Sequence, residues 1–466
     1  MSLLKFFLIA ATSFLVSGFF PLAAQVENGG KWFVNIRHFE YGEMRTTLEF
    51  RVETDSSFSA ASHRRGVKNL VGGFKATMGR WFTRKPMLRT GALCRIENGR
   101  TEGETFSGVL SMPMGSRIKI AGRFSGSHLS GSLTNASGKQ VGVVDGTRTS
   151  GSAPADDYPA VVDALMEQYR QNIYDRRVLE TKSWKRFAKK MKKSGKKAQD
   201  DFDLISAFFI HAQKLPFTHA YFYRTENPKA GKAQMSKRFA SLSGQAWLEE
   251  KSPETVVLRV KSFRCTAEEM DSLMRIVMRK DYRNLIVDLR GNGGGSLEGG
   301  MTLARYLTAG ETATGVYLTQ KWFNRHPAPP TAVELASMPA FTKADVAAFT
   351  STLDSAGYVV LKATPGPQQF TGKAFILTDR RTASACEPLT WNLKHYGRAT
   401  VVGESTAGAM LSAESYPVKN GFTAVIPNGD YYTPEGNRLD RIGVAPHLAV
   451  NGEAALDRVM RLIEGK

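Results

Sequence analysis

Residues 377–409 read LTDRRTASACEPLTWNLKHYGRATVVGESTAGA, and their reading decides the fold. The apolar run 374–377 leading into them reads as a buried strand. A charged turn follows (Asp379, Arg380, Arg381), and the small residues Thr382, Ala383, Ser384 and Ala385 then open a helix. A serine at such a junction sits at the rim of a sheet, where the first helix amides have no intrahelical acceptor. A nucleophilic serine needs that geometry, because those amides can hold the oxyanion formed on attack. The same pattern also fits a serine that merely caps its helix.

Working outward, residues 284–300 read NLIVDLRGNGGGSLEGG: a short apolar strand, a polar turn, the glycines 293–295 and a helix. Glycines directly after a strand leave backbone amides facing outward with no side chain in the way. Gly291 and Gly293 begin a dinucleotide-type GxG, but Ser296 stands at the third glycine and no acidic residue closes a following strand. The better reading is an oxyanion loop facing a nucleophile supplied from elsewhere in the chain.

Together these stretches resemble the C-terminal processing (tail-specific) serine peptidases and their relatives, the tricorn protease core and the interphotoreceptor retinoid-binding proteins. The matching pieces are VVLRVKSF at 256–263, NLIVDLRGNGGG, TASACE, VVGESTAGA and GNRLDRIGVAP at 436–446, in the family's order. The resemblance implies an α/β core of the crotonase/ClpP-like ββα spiral type, with Ser384 as nucleophile. Amides of Gly293 or Gly294 and of Ala385 would form the oxyanion hole, and neither a metal nor an organic cofactor is implied. Tail-specific members carry a lysine base where Ala409 stands here, so that dyad is absent. The tricorn-like branch instead uses a histidine in a (Ser/Thr)-His-(Ala/Ser)-Tyr segment, and Thr218-His219-Ala220-Tyr221 matches it. A serine hydroxyl needs an adjacent base, and histidine titrates in the right range. A histidine beside aromatics can equally be a packed structural residue. Asp440 stands where the branch carries a catalytic glutamate, one methylene longer, and could instead be a solvated turn acid. His447 stands where aspartate is usual, and residues 224–254 leave too little chain for the PDZ domain of many members.

The rest of the chain is read around this core as a multidomain protein. Residues 1–24, with Lys5 before an apolar run and Pro21-Leu22-Ala23-Ala24 after it, read as a signal peptide and imply export to the periplasm or beyond. Residues 25–150 read as an all-β sandwich or barrel, Leu48, Phe50 and Val52 marking one half-buried strand. His38, His63 and His128 within it are read as surface residues. Residues 151–157 are a linker, and residues 158–254 a helical region that includes the His219 segment. Residues 255–466 form the peptidase core, with an insertion at 310–372 that reads as a rim or lid and carries His326, a second candidate base. Cys94, Cys265 and Cys386 neither build a disulfide framework nor have metal-ligand spacing, and Cys386 competes weakly with Ser384 as nucleophile.

A formal charge of +20 would suit nucleic acid, but the export reading argues against that partner. The basic surface, concentrated in the amphipathic stretch 182–197, is read as solvated or as meeting anionic lipid or cell-wall polymer. The expected function is an exported serine endopeptidase acting on peptide or protein substrates through an acyl-enzyme. The alternative is an inactive relative that binds an apolar ligand or envelope polymer.

Overall fold

A computed structural model describes residues 29–39, 42–71, 90–113, 117–151, 156–225, 244–341 and 346–466. The signal-peptide reading, most of the linker, and most of the span judged too short for a PDZ domain lie outside the described residues.

Eight antiparallel strands open the described chain: β1 (Gly30–His38), β2 (Gly42–Thr54), β3 (Ser57–Ala61), β4 (Arg95–Glu102), β5 (Thr105–Ser111), β6 (Arg117–Ser125), β7 (His128–Thr134) and β8 (Gln140–Thr149). Each pairs with its sequence neighbour, and β1 also pairs with β8, so the meander closes into a barrel. Alternate residues point inward, and Trp32, Phe50, Phe58, Phe106 and Phe124 fill the interior; the Phe106 and Phe124 rings lie 4.8 Å apart. Gly122 makes room for them, since a Cβ there would come within 2.7 Å of the Phe106 ring. Two expectations are corrected here. Val52 is 48% exposed, because β2 runs on past the barrel wall. His38 points into the barrel and His63 is only partly exposed, so neither is a free surface residue.

After the short helix α1 (Gly66–Val71), the helical region is α2 (Tyr158–Asn172), α3 (Lys182–Gly195) and α4 (Asp201–Ala212). Asp157 caps α2 through the Ala160 amide, as its position before Pro159 predicts. Buried carboxylates at the head of α4 lock this region to the barrel. Asp201 accepts from Arg45, Tyr158 and Arg224, while Asp200 and Asp203 face His63 Nε2 at 3.6 and 3.2 Å.

The core is a six-stranded sheet ordered β10 (Ala246–Ser252), β11 (Thr255–Val260), β12 (Asn284–Asp288), β15 (Lys373–Thr378), β16 (Thr400–Gly403) and β19 (Leu448–Ala449). All its pairings are parallel except β10–β11. Helices α5 (Ala267–Arg279), α6 (Leu297–Leu307) and α7 (Cys386–His395) cover one face, and α8 (Ala455–Ile463) covers the other. Covering both faces explains the apolar runs 256–258 of β11 and 285–287 of β12. Thr266 caps α5, but Glu269 turns back to the Gln245 and Ala246 amides rather than closing a capping box.

A second set of strands decides where the site forms. β9 (Tyr221–Arg224) and β13 (Thr312–Leu318) both pair with β18 (Phe422–Tyr432), β13 also pairs with β14 (Tyr358–Ala363), and β2 touches β9. The barrel sheet therefore continues into the core. Two strands of the 310–372 insertion are integral to that sheet.

Candidate active site

The serine turn and the glycine loop are built against each other. Ser384 has φ 55°, a left-handed conformation that an L-residue adopts only at a cost of about 1–2 kcal/mol. Its surroundings hold it there. The Ala383 amide donates to Asn292 O at 3.0 Å, the Thr382 hydroxyl donates to Leu289 O at 2.9 Å, and the Ser384 amide donates to Glu387 Oε2 at 3.1 Å. Ala385, not Ser384, is the N-cap residue of α7, and no side chain makes a cap bond there. Ser384 is thus not a helix cap.

Across from it, Gly294 has φ +96°, and a Cβ there would lie 2.6 Å from Ser384 Cβ and 3.1 Å from the Ala385 nitrogen. Only glycine lets the loop come this close. The Gly294 amide is engaged, donating to the buried Asn292 Oδ1 at 2.9 Å, and its carbonyl accepts from Phe263 N and Ser262 Oγ. The amides of Gly293 and Ala385 donate to no protein acceptor among the described residues.

Glu387 has no accessible surface, and sequence reasoning gave it no role. Its carboxylate accepts from Ser384 N, Thr406 Oγ1 at 2.6 Å, Gly408 N at 2.8 Å and Ala409 N at 2.8 Å. Burial raises its pKa against the pull of those donors. It ties the serine turn to loop 404–410. The signal was present in TASACE, but an acid in a first helical turn reads as an ordinary complement to the helix dipole.

The same loop meets the histidine segment. Met410 N donates to Asp440 Oδ1 at 3.2 Å, and Arg441 N donates to Gly408 O at 2.7 Å. Asp440 is buried and accepts from Thr218 N at 3.0 Å and, by a short bond, from the Thr218 hydroxyl. That hydroxyl lies 2.8 Å from His219 Nδ1. Asp440 therefore reaches the imidazole through Thr218. A hydroxyl carries one proton, and Thr218 gives its proton to the carboxylate, so Nδ1 must donate to the Thr218 oxygen. The ring is then the tautomer whose Nε2 is a free base. Burial holds the His219 pKa below its ordinary value, partly offset by Asp440. His219 is itself left-handed, φ 56°. Arg438 and Arg441 fix the segment by donating to Pro216 O and Phe217 O at 2.8 Å each. Hydrogen bonds thus run without a break from the Ser384 turn through Glu387, loop 404–410, Asp440 and Thr218 to His219.

The remaining candidates fall away from this network. Cys386 is buried and burial pushes its thiol pKa up, Cys265 is pushed up to about 12 by the same cause, and all three cysteines are free. His326 is exposed and stacks on Trp322 at 4.1 Å. His447 Nδ1 accepts from Val401 N at 3.0 Å and serves the sheet edge.

Residues 254–450 match the profile of peptidase family S41. A carboxy-terminal processing protease of Bacillus subtilis is 25% identical over 185 residues, 40% of this chain and 31% of the relative. A carboxyl-terminal-processing protease of Picosynechococcus is 26% identical over 208 residues, 44% of this chain and 42% of the relative. The chain thus matches less than half the length of each. Among solved structures, the photosystem II D1 C-terminal processing protease superposes with a TM-score of 0.41 at 14% identity, covering 65% of this chain and 95% of that one. His219 lies outside the segment that matches peptidase family S41, whereas the strand, glycine-loop, serine-turn and Asp440 motifs lie inside it.

Proposed function

We propose that the protein is a serine peptidase in which Ser384 is the nucleophile, His219 the general base and Asp440 the acid that orients it through Thr218. The observation that carries this is the Asp440–Thr218–His219 hydrogen-bond chain, which leaves Nε2 as an acceptor and is joined through loop 404–410 to the Ser384 turn. Ser384 Oγ attacks the peptide carbonyl carbon while its proton passes to Nε2. The oxyanion takes the free amides of Gly293 and Ala385, with Gly294 as the spacer that lets them converge. Collapse breaks the C–N bond as the imidazolium returns the proton to the leaving amine. Water then attacks the acyl ester, giving its proton to Nε2, and Ser384 is released with its proton restored. Ala409, at the position of the family's lysine, has no basic group and spends its amide on Glu387. A ClpP-like spiral is the form we assign to the core, supported by its parallel sheet with helices on both faces, and export follows if residues 1–24 act as a signal peptide.

The test is labelling of the purified mature chain with a fluorophosphonate, followed by mapping of the adduct. The expected result is modification of Ser384 that disappears in His219→Ala. No adduct at Ser384, or one that persists in that variant, would sink the assignment, and tight lipid binding without labelling would point to a carrier.

A further inference from the structure

The strongest feature outside the site is the outer face of α3. The helix turns Trp184, Phe187 and Met191 inward, where Trp184 packs against Tyr169 and Phe217, so its apolar side is already used in the core. Its outer side carries seven Lys and Arg residues and the two lysines just past its end make nine between 182 and 197, all exposed, with no acid in that span. Among the described residues only Lys185 and Lys192 have ionic partners, Glu180 at 2.8 Å and Asp163 at 3.3 Å. The other seven face solvent without a carboxylate. The patch extends past the helix: Asn69 of α1 donates to Lys197 O at 3.0 Å, which places the exposed Lys68 at the same end. Its field is felt nearby, since burial and then the Lys190 ammonium lower the His211 pKa to about 4.

We propose that this face of α3 docks the protein electrostatically on an anionic lipid surface. A straight cationic rod of about 21 Å matches a flat, diffuse negative surface. Eight of the nine cations are lysine, a mobile point charge that suits headgroups of no fixed geometry; site-specific phosphate recognition would favour the planar fork of arginine. Because the apolar face is sequestered, the helix does not insert, and attachment depends on charge alone. Each lysine near an anionic leaflet strengthens binding roughly fivefold, with the effect fading within a Debye length of about 8 Å at physiological salt.

The experiment is co-sedimentation of the full chain with vesicles of phosphatidylcholine alone and of phosphatidylcholine with phosphatidylglycerol, across a salt series. Binding is expected only to the anionic vesicles, falling steeply with salt and unchanged between pH 6 and 9. The triple variant Lys189→Gln, Lys190→Gln, Lys193→Gln should weaken it by about a hundredfold. The control triple Lys31→Gln, Lys119→Gln, Lys139→Gln removes the same charge from exposed barrel positions and should change it only a few-fold. Failure to bind anionic vesicles, equal losses in the two triples, or retention on a soluble polyanion but not on vesicles would each overturn the proposal. Fluorophosphonate labelling of the same variants should be unaffected, which keeps this outcome separate from the fate of the peptidase assignment.

Discussion

Replacing Thr218 by valine removes one hydroxyl from the middle of the proposed relay and keeps the shape of the side chain. The fold should survive, because Asp440 would still accept from Thr218 N at 3.0 Å, Met410 N at 3.2 Å and Arg438 Nη2 at 3.2 Å. What is lost is the acceptor for His219 Nδ1 and, with it, the preference for the tautomer with a free Nε2. A hydrogen bond within a charge-assisted chain contributes roughly 1.5–3 kcal/mol, which corresponds to about 10- to 150-fold in rate. The assay is the second-order rate of fluorophosphonate attachment to Ser384, which needs no knowledge of the natural substrate, with a thermal melt run alongside. Thr218→Ser restores the hydroxyl and should recover most of the rate. If valine labels at the wild-type rate, or serine is as slow as valine, the hydroxyl does not carry the orientation and the relay is wrong.

Three further outcomes follow from the same geometry. Gly294→Ala would force a Cβ to within 2.6 Å of Ser384 Cβ at φ +96°, and labelling should fall by about 10²–10³, the scale of losing an oxyanion donor. The rate profile with pH should have its acid limb below 6.5, because burial lowers the His219 pKa and the neutral base persists into acid; a limb at or above 6.5 would remove His219 as the base. Burial lowers the His63 pKa, but Asp200 and Asp203 more than reverse this and raise it to about 10. Folded protein then holds a proton that unfolded protein loses near 6.5, so this contribution is full below pH 6.5 and declines as pH rises toward 10, by at most about 1.4 kcal/mol per unit. Urea unfolding of wild type and His63→Gln across that window should show the slope only in wild type.

The core was legible because its signals are local. The apolar run of β12 is too short for a helix and is followed by glycines, which marks it as a strand and a tight loop, and a helix follows as α6. The barrel was legible as alternation, but closure was not, since nothing in β1 or β8 alone records that they pair. Glu387 was missed because its role depends on loop 404–410 folding over it, some twenty residues further along the chain.

By itself, the sequence determined the residue types a serine peptidase needs: a hydroxyl at a strand-to-helix turn, glycines after a neighbouring strand, and a histidine and an acid in recognisable segments. Only tertiary structure decided which partners the histidine segment meets. The pairing of β9 with β18 brings Thr218 and His219 beside a carboxylate more than two hundred residues away, and the hydroxyl between them fixes which ring nitrogen is free. Residue identity is written locally, whereas hydrogen-bond direction is set by whatever long-range packing brings within about 3 Å.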